Sequence, residues 1–261
     1  MTWKEIPADV YHGEYRSFIS SSDLRRILRS PAHWRSPQPF ASKAQEFGTL
    51  AHEAVLEPDS WASRCRPSSK IDRRTTEGKA VAQWQASQTE KFGIQFVEET
   101  LFNQIETLAA NVHACLGNPG LLSGGMAELS GFTEINGCNA RIRPDYLKDD
   151  YIIDLKTSYD SRIESFQRSI FQYGYDLQAA FYLDCAELID GKKRKFLWVA
   201  VENESPYGVC VYEPNEAVLE RVRKLYRQAI NTYLECAELD YWPSYSTATQ
   251  TIKLPRYMEN V

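Results

Sequence analysis

The chain has 261 residues, 43% hydrophobic, 12% aromatic and 25% charged, an ordinary globular composition that argues against disorder and gives enough chain for one large domain. A formal net charge of −5 is incompatible with a surface that is basic all round, so a nucleic-acid partner has to be met by a local patch or channel. No run of about 18 apolar residues occurs and "MTWKEIPADVYHGEYR" lacks the layout of a signal peptide, so a soluble, cytoplasmic protein without a membrane partner is expected.

Along the chain, "ISSSDLRRILRSP" combines a Ser-rich N-cap, an apolar stripe at Leu24, Ile27 and Leu28, and a Pro stop, which predicts a short helix. In "SKAQEFGTLAHEAVLEP", Phe47, Leu50, Ala51, Ala54 and Val55 recur at helical spacing and Pro58 ends the run. Two further helices are predicted over "TTEGKAVAQWQASQTEKF" and "EETLFNQIETLAANVHACLG". The pattern then changes to strands. "MAELSGFTEINGCNARIRPDYL" predicts a hairpin about Asn136-Gly137, a pair suited to a type I′ turn, with Glu128 on its first strand. "ARIRPDYL" is expected as one strand, "KDD" as a connection and "YIIDLKT" as a second strand rich in β-branched and aromatic residues. Helices over "RIESFQRSIFQY" and "DLQAAFYLDCAELI", strands "KFLWVAVEN" and "YGVCVYEP", and a helix from Asn215 to Leu239 complete the chain. The six cysteines show no C-x-x-C spacing, so neither a zinc site, an iron–sulfur cluster nor a disulfide framework is signalled and buried free thiols are expected. No linker divides the sequence. A single domain is expected, mainly helical over 1–120, with an α/β core over 121–261: a central mixed sheet with antiparallel hairpins flanked by helices.

The chemistry concentrates in "RPDYLKDDYIIDLKT". Side chains alternate faces along a strand, so Asp154 and Lys156 share one face while Leu155 points to the other. Two carboxylates brought together by a hairpin repel and are costly to desolvate, which makes sense beside a divalent cation with oxygen ligands. Taken alone, Asp145 also fits a turn residue and Asp154–Lys156 a simple ion pair.

Pro144-Asp145, Asp154-Leu155-Lys156, Gln178-x-x-x-Tyr182 and the upstream Gly48-x-x-x-His52 together resemble the PD-(D/E)-x-K nuclease superfamily, in particular its RecB-like branch. The surrounding "YHGEYRSFISSSDLRRIL", "FGTLAHEAVLEP", "RRTTEGK", "YGYDLQAAFYLD" and "WPSYSTATQTIKLPRY" resemble the nuclease domain of RecE-type exonucleases (exodeoxyribonuclease VIII) over nearly the whole chain. The resemblance implies a metal-dependent 5′-to-3′ exonuclease on double-stranded DNA, of bacterial or phage origin. It would act at DNA ends, as a ring-shaped homo-oligomer such as a tetramer, and leave 3′ single-stranded tails for repair and recombination with a RecT-like annealing partner. It also implies one or two Mg²⁺ or Mn²⁺ ions held by His52, Asp145, Asp154 and the Leu155 carbonyl, with Lys156 aiding the attacking water. Gln178 and Tyr182 would orient the lysine or hold the DNA backbone, and a nearby cation would make Lys156 easier to deprotonate. Arg25, Arg26, Arg29, Arg73, Arg74, Lys70, Lys79 and Tyr175 are candidate DNA contacts, since guanidinium groups suit phosphate oxygens. A catalytically silent DNA-binding relative, or a Cas4- or AddB-like nuclease without its iron–sulfur cluster, is the alternative.

Overall fold

A computed structural model describes residues 1–37, 43–117, 120–246 and 248–253; Ser42 and the "LPRY" that closes the last family-like stretch lie outside them. In chain order the elements begin with β1 (Thr2–Lys4), α1 (Ala8–Gly13), α2 (Ser21–Arg29), α3 (Pro31–Arg35), α4 (Lys43–Leu56), α5 (Pro58–Arg64) and β2 (Cys65–Ser68). There follow α6 (Thr76–Phe92), β3 (Gln95–Glu98), α7 (Glu99–Leu116), β4 (Met126–Ala127), β5 (Ser130–Ile135), β6 (Cys138–Ile142), β7 (Tyr146–Leu147) and β8 (Tyr151–Ser158). The chain continues with α8 (Ile163–Tyr173), α9 (Tyr175–Asp190), β9 (Lys195–Glu202), β10 (Val209–Tyr212) and α10 (Glu216–Leu239).

A mixed sheet of five strands, ordered β10-β9-β8-β7-β4, forms the centre, with β8 parallel to β9 and its other neighbours antiparallel. Strand alternation splits the core across it. Ile152, Phe196 and Trp198 face a cluster built with Leu24, Phe166, Phe181 and Tyr226 of α2, α8, α9 and α10. Ile153, Leu155, Leu197 and Val199 face Leu50, Val55, Ile105 and Leu108 of α4 and α7. Asp154 and Lys156, alternating with Leu155, therefore emerge on the α8–α9 side, as their spacing predicts.

Strands β1, β5 and β6 make a separate antiparallel sheet. Asn136 (φ +50°) and Gly137 (φ +80°) turn β5 into β6, the two positive φ angles a type I′ turn requires. The expected strand "ARIRPDYL" is broken in two: β6 belongs to this sheet, while β7 crosses to the central one. Pro144 lacks a backbone N–H and restricts the residue before it, so pairing cannot run through the Arg143–Asp145 step. Glu128 also differs from expectation; it lies before β5 in a left-handed conformation (φ +53°) instead of on the strand.

The Pro31 stop is instead the start of α3, where a proline fits the first helical turn and Ser30 caps it. The short parallel pair β2–β3 carries no alternation long enough to be read in sequence. All six cysteines are free, but Cys115 is exposed and Cys210 only partly covered, which corrects the expectation of uniformly buried thiols. No helix among the described residues is long and apolar enough to cross a membrane.

Candidate active site

The site forms where the Pro144 break releases the chain onto the edge of β8. Tyr146 pairs with Ile153 and Leu147 with Ile152, so Asp145, one residue earlier, stands across from Asp154. The buried Asp145 carboxylate accepts the Leu155 N–H at 2.7 Å, closing a backbone donor that β7 no longer reaches. Helix α4 lays His52 over the same point: its Nε2 lies 2.9 Å from the Leu155 carbonyl and its Nδ1 3.6 Å from Asp145 Oδ2. Gly48, one turn before, brings α4 against Thr157 at the end of β8. Glu128 completes a group of three, with one ligand atom each from His52, Glu128 and Asp145 lying within 4.8 Å of one another. Its placement depends on a contact across the chain: the Glu128 N–H donates to the Asp145 carbonyl at 3.1 Å.

Asp154 is fully buried, and Gln178 of α9 donates to its Oδ1 at 2.9 Å. Its Oδ2 lies 2.6 Å from Lys156 Nζ but makes no contact with hydrogen-bond geometry. The ammonium also rests on the Tyr175 ring, 4.9 Å from its centre, a cation–π arrangement that favours the charged lysine. Tyr182 lies on α9 four residues beyond Gln178 and is buried beside the site. Burial first, then the neighbouring Tyr11 and the two aspartates, push its hydroxyl pKa well up, so it stays protonated.

Burial and neighbouring charges set the charge balance of the site. Burial raises the pKa of Asp154 to about 6 despite the nearby Lys156. Burial likewise raises that of Asp145, and burial together with Asp145 raises that of Glu128. Burial opposes the ammonium of Lys156, yet Asp154 and Asp145 outweigh it and hold its pKa above the ordinary lysine value. Burial and the charge of Lys156 lower the pKa of His52, keeping a neutral imidazole able to bind metal. Two buried aspartates and a half-buried glutamate against Lys156 and Arg143, with a neutral imidazole alongside, fit a divalent cation.

The expected ligand set is thus regrouped. His52 and Asp145 come together with Glu128; Asp154 is engaged by Gln178 and Lys156, and the Leu155 carbonyl is turned to His52. Arg143 is a residue that motif reasoning missed. Its Nε donates to Glu128 Oε2 at 2.7 Å, and its Nη1 donates to the Ile6 carbonyl and Ser130 Oγ, so it aims the Glu128 carboxylate. Its position immediately before Pro-Asp is the one signal that could have found it.

Of the candidate DNA contacts, Tyr175 lies in the site under the Lys156 ammonium, and Arg25 donates from α2 to the Tyr173 carbonyl at 2.5 Å beside it. Arg26 instead holds the His33 and Ser36 carbonyls, Arg29 donates to the Tyr245 hydroxyl and Arg74 pairs with Asp72. Lys70 lines a separate groove with Glu98 and Glu99, and Arg73 and Lys79 are exposed.

A Pro-Asp turn set against an Asp-x-Lys strand, at the middle of a mixed sheet covered by helices on both faces, defines the PD-(D/E)-x-K nuclease fold. The chain belongs to the PDDEXK-like domain of unknown function (DUF3799), which matches residues 20–255. Among solved structures, a candidate exonuclease from Eubacterium rectale aligns over 97% of this chain and 96% of its own with a TM-score of 0.63 at 14% identity. A phage-related exonuclease from Haemophilus somnus gives 0.33 at 10% identity over 85% of this chain and 96% of its own. An alkaline exonuclease from Laribacter hongkongensis gives 0.31 at 13% identity over 89% and 96%. No match is found among curated proteins. The resemblance of the sequence to the PD-(D/E)-x-K superfamily is borne out, since the matched family is PDDEXK-like.

Proposed function

We infer that the chain is a metal-dependent exonuclease that degrades double-stranded DNA from its ends in the 5′-to-3′ direction and leaves 3′ single-stranded tails for recombination by strand annealing. The observation that carries this reading is the opposition of Asp145 and Asp154 with Lys156 placed against Asp154. His52, Glu128 and Asp145 would hold Mg²⁺ or Mn²⁺, with Asp154 alongside, and the ion would polarise the scissile phosphate and make a water more acidic. The charged Lys156, steadied by Asp154 and the Tyr175 ring, orients the attacking water and stabilises charge growing on the phosphate oxygens. Gln178 holds the Asp154 carboxylate in one orientation. Buried Tyr182 keeps bulk water from that side, and Arg143 keeps Glu128 aimed at the cluster. Arg25 offers a phosphate contact at the rim. A RecT-like annealing protein would take up the single-stranded product, and a ring of subunits would keep the enzyme on its substrate.

The decisive experiment is digestion of linear duplex labelled at either the 5′ or the 3′ end in Mg²⁺ or Mn²⁺, with a covalently closed circle as control. Early release of the 5′ label with the circle spared is expected. Early release of the 3′ label, or degradation of the circle, overturns the assignment.

A further inference from the structure

Strand β3 has one neighbour, β2, among the described residues, and its far edge opens on a groove of about 500 Å³. All four residues of β3 line this groove and none of β2 does, while Phe47 and Leu50 of α4 and Leu101 of α7 supply its apolar wall. A free strand edge beside apolar side chains is the arrangement that takes up an extended peptide as an added strand. Among the described residues lining the groove, Glu46 and Glu98 alone carry a formal charge, both negative and both exposed. A DNA phosphate would meet two carboxylates and no cation there, whereas a peptide with a basic side chain among apolar ones is matched in charge as well as in shape.

The chain itself carries such a segment: residues 251–261 read "TIKLPRYMENV". Thr251 and Ile252 are β-branched and favour an extended backbone. Pro255 biases Leu254 the same way and cannot donate to a ladder, so four residues are left to pair, as many as β3 offers. In an extended segment Ile252 and Leu254 share one face and Lys253 takes the other. On β3, Val97 is buried and alternates with Phe96 and Glu98. Seating Ile252 and Leu254 on the Val97 face, against Leu50 and Leu101, therefore brings Lys253 to the face of Glu98. Ile252 is 96% exposed and takes no part in the core of its own subunit. The segment and the groove also lie on different sides of the molecule. The chain approaches residue 251 past α2 and α3, where Tyr245 meets the Arg29 side chain and the His33 ring, while α4 and α7 cover the opposite face of the central sheet. A contact between two different surfaces of one chain is heterologous, and it repeats from copy to copy into a ring where the rotation closes.

We propose that residues 251–254 of one subunit add as a strand to the free edge of β3 in the next subunit, with Ile252 and Leu254 in the groove and Lys253 beside Glu98. The inference rests on the ring of subunits proposed above and names the contact that closes it.

The test uses the full chain throughout. Light scattering should give a closed oligomer for the parent and a single subunit for the Ile252→Asp/Leu254→Asp double variant, checked for an unchanged melting temperature. A fluorescein-labelled peptide of residues 251–261 should then bind the double variant saturably, read as anisotropy, and the same peptide carrying Ile252→Asp should not. Glu98→Lys in the protein, or Lys253→Glu in the peptide, should weaken binding about 5-fold, the scale of a cross-strand charge pair, and the two changes together should restore it. A parent that scatters as one subunit overturns the ring and the docking together. An oligomer that survives the double variant, a peptide that does not bind, or one that binds equally well with Ile252→Asp overturns the docking alone.

Discussion

Asp154 and Lys156 differ in what they give the site, although they touch. Asp154→Asn removes one of the charges that favour a cation, so metal affinity and cleavage should fall together in a Mn²⁺ titration coupled to digestion. Lys156→Ala removes a positive charge and should leave cation binding intact or tighter, while turnover drops by about 10²-fold or more, the scale of a lost acid–base or charge-stabilising group. Duplex binding in Ca²⁺ should survive in the lysine variant; a stable Lys156→Ala protein digesting at the parent rate would show that the two residues merely pair. Beyond the end of β8, Asp160 has its carboxyl held at about 2, first by the Arg162 side chain and then by the Arg162 N–H. A depressed folded-state pKa means stability present above the ordinary carboxylate range and lost as pH falls toward 2. The melting temperature of Asp160→Asn should therefore lie below that of the parent at pH 7, and the gap should narrow on acidification below about pH 4; a gap constant with pH would contradict the pairing.

At the scale of elements, the site depends on two interruptions. Pro144 ends β6 and lets β7 start in another sheet, and that step turns a continuous strand into a turn carrying Asp145 toward Asp154. Gly174 separates α8 from α9 at φ +70°, closing the first helix and starting the second. That corner sets where Tyr175 and Gln178 enter the site, and a Cβ there would come within 3.0 Å of the Arg25 side chain. Gly174→Ala should lose about 1–2 kcal/mol of stability from the left-handed backbone alone, read as a lower urea midpoint with an unchanged slope. It should also reduce digestion more than metal binding, because it displaces Gln178 and the tyrosine but not the His52–Glu128–Asp145 group.

For the whole molecule the proposed function raises the question of how a chain of net charge −5 would retain DNA. Of the arginines expected to form a path, Arg26 and Arg29 are held by the His33 and Ser36 carbonyls and the Tyr245 hydroxyl, and Arg74 is neutralised by Asp72. Retention by closed symmetry, with several subunits around one duplex, needs no strongly basic face on any of them. Light scattering should report a closed oligomer at concentrations where digestion is processive; a 30.0 kDa particle under those conditions would rule out encirclement.

The helices and long strands were legible in sequence because they carry their own periodicity: α4, α6, α7, α8, α9 and α10, the Asn136-Gly137 turn and strand β8 all lie where spacing, capping and turn chemistry put them. The pairing of Asp154 with Lys156 on one face was legible too, since alternation along a strand is local. The short elements β2, β3 and β7 were not, because two to four residues carry no period and owe their existence to a neighbour. Only the tertiary structure decided which carboxylates meet. Glu128, in a left-handed turn, and Arg143, before the proline, enter the site through contacts between segments distant in sequence or in sheet. Asp154 is drawn toward Lys156 and Gln178 because, in the low dielectric beneath β8, a carboxylate settles on the nearest donor and the nearest positive charge.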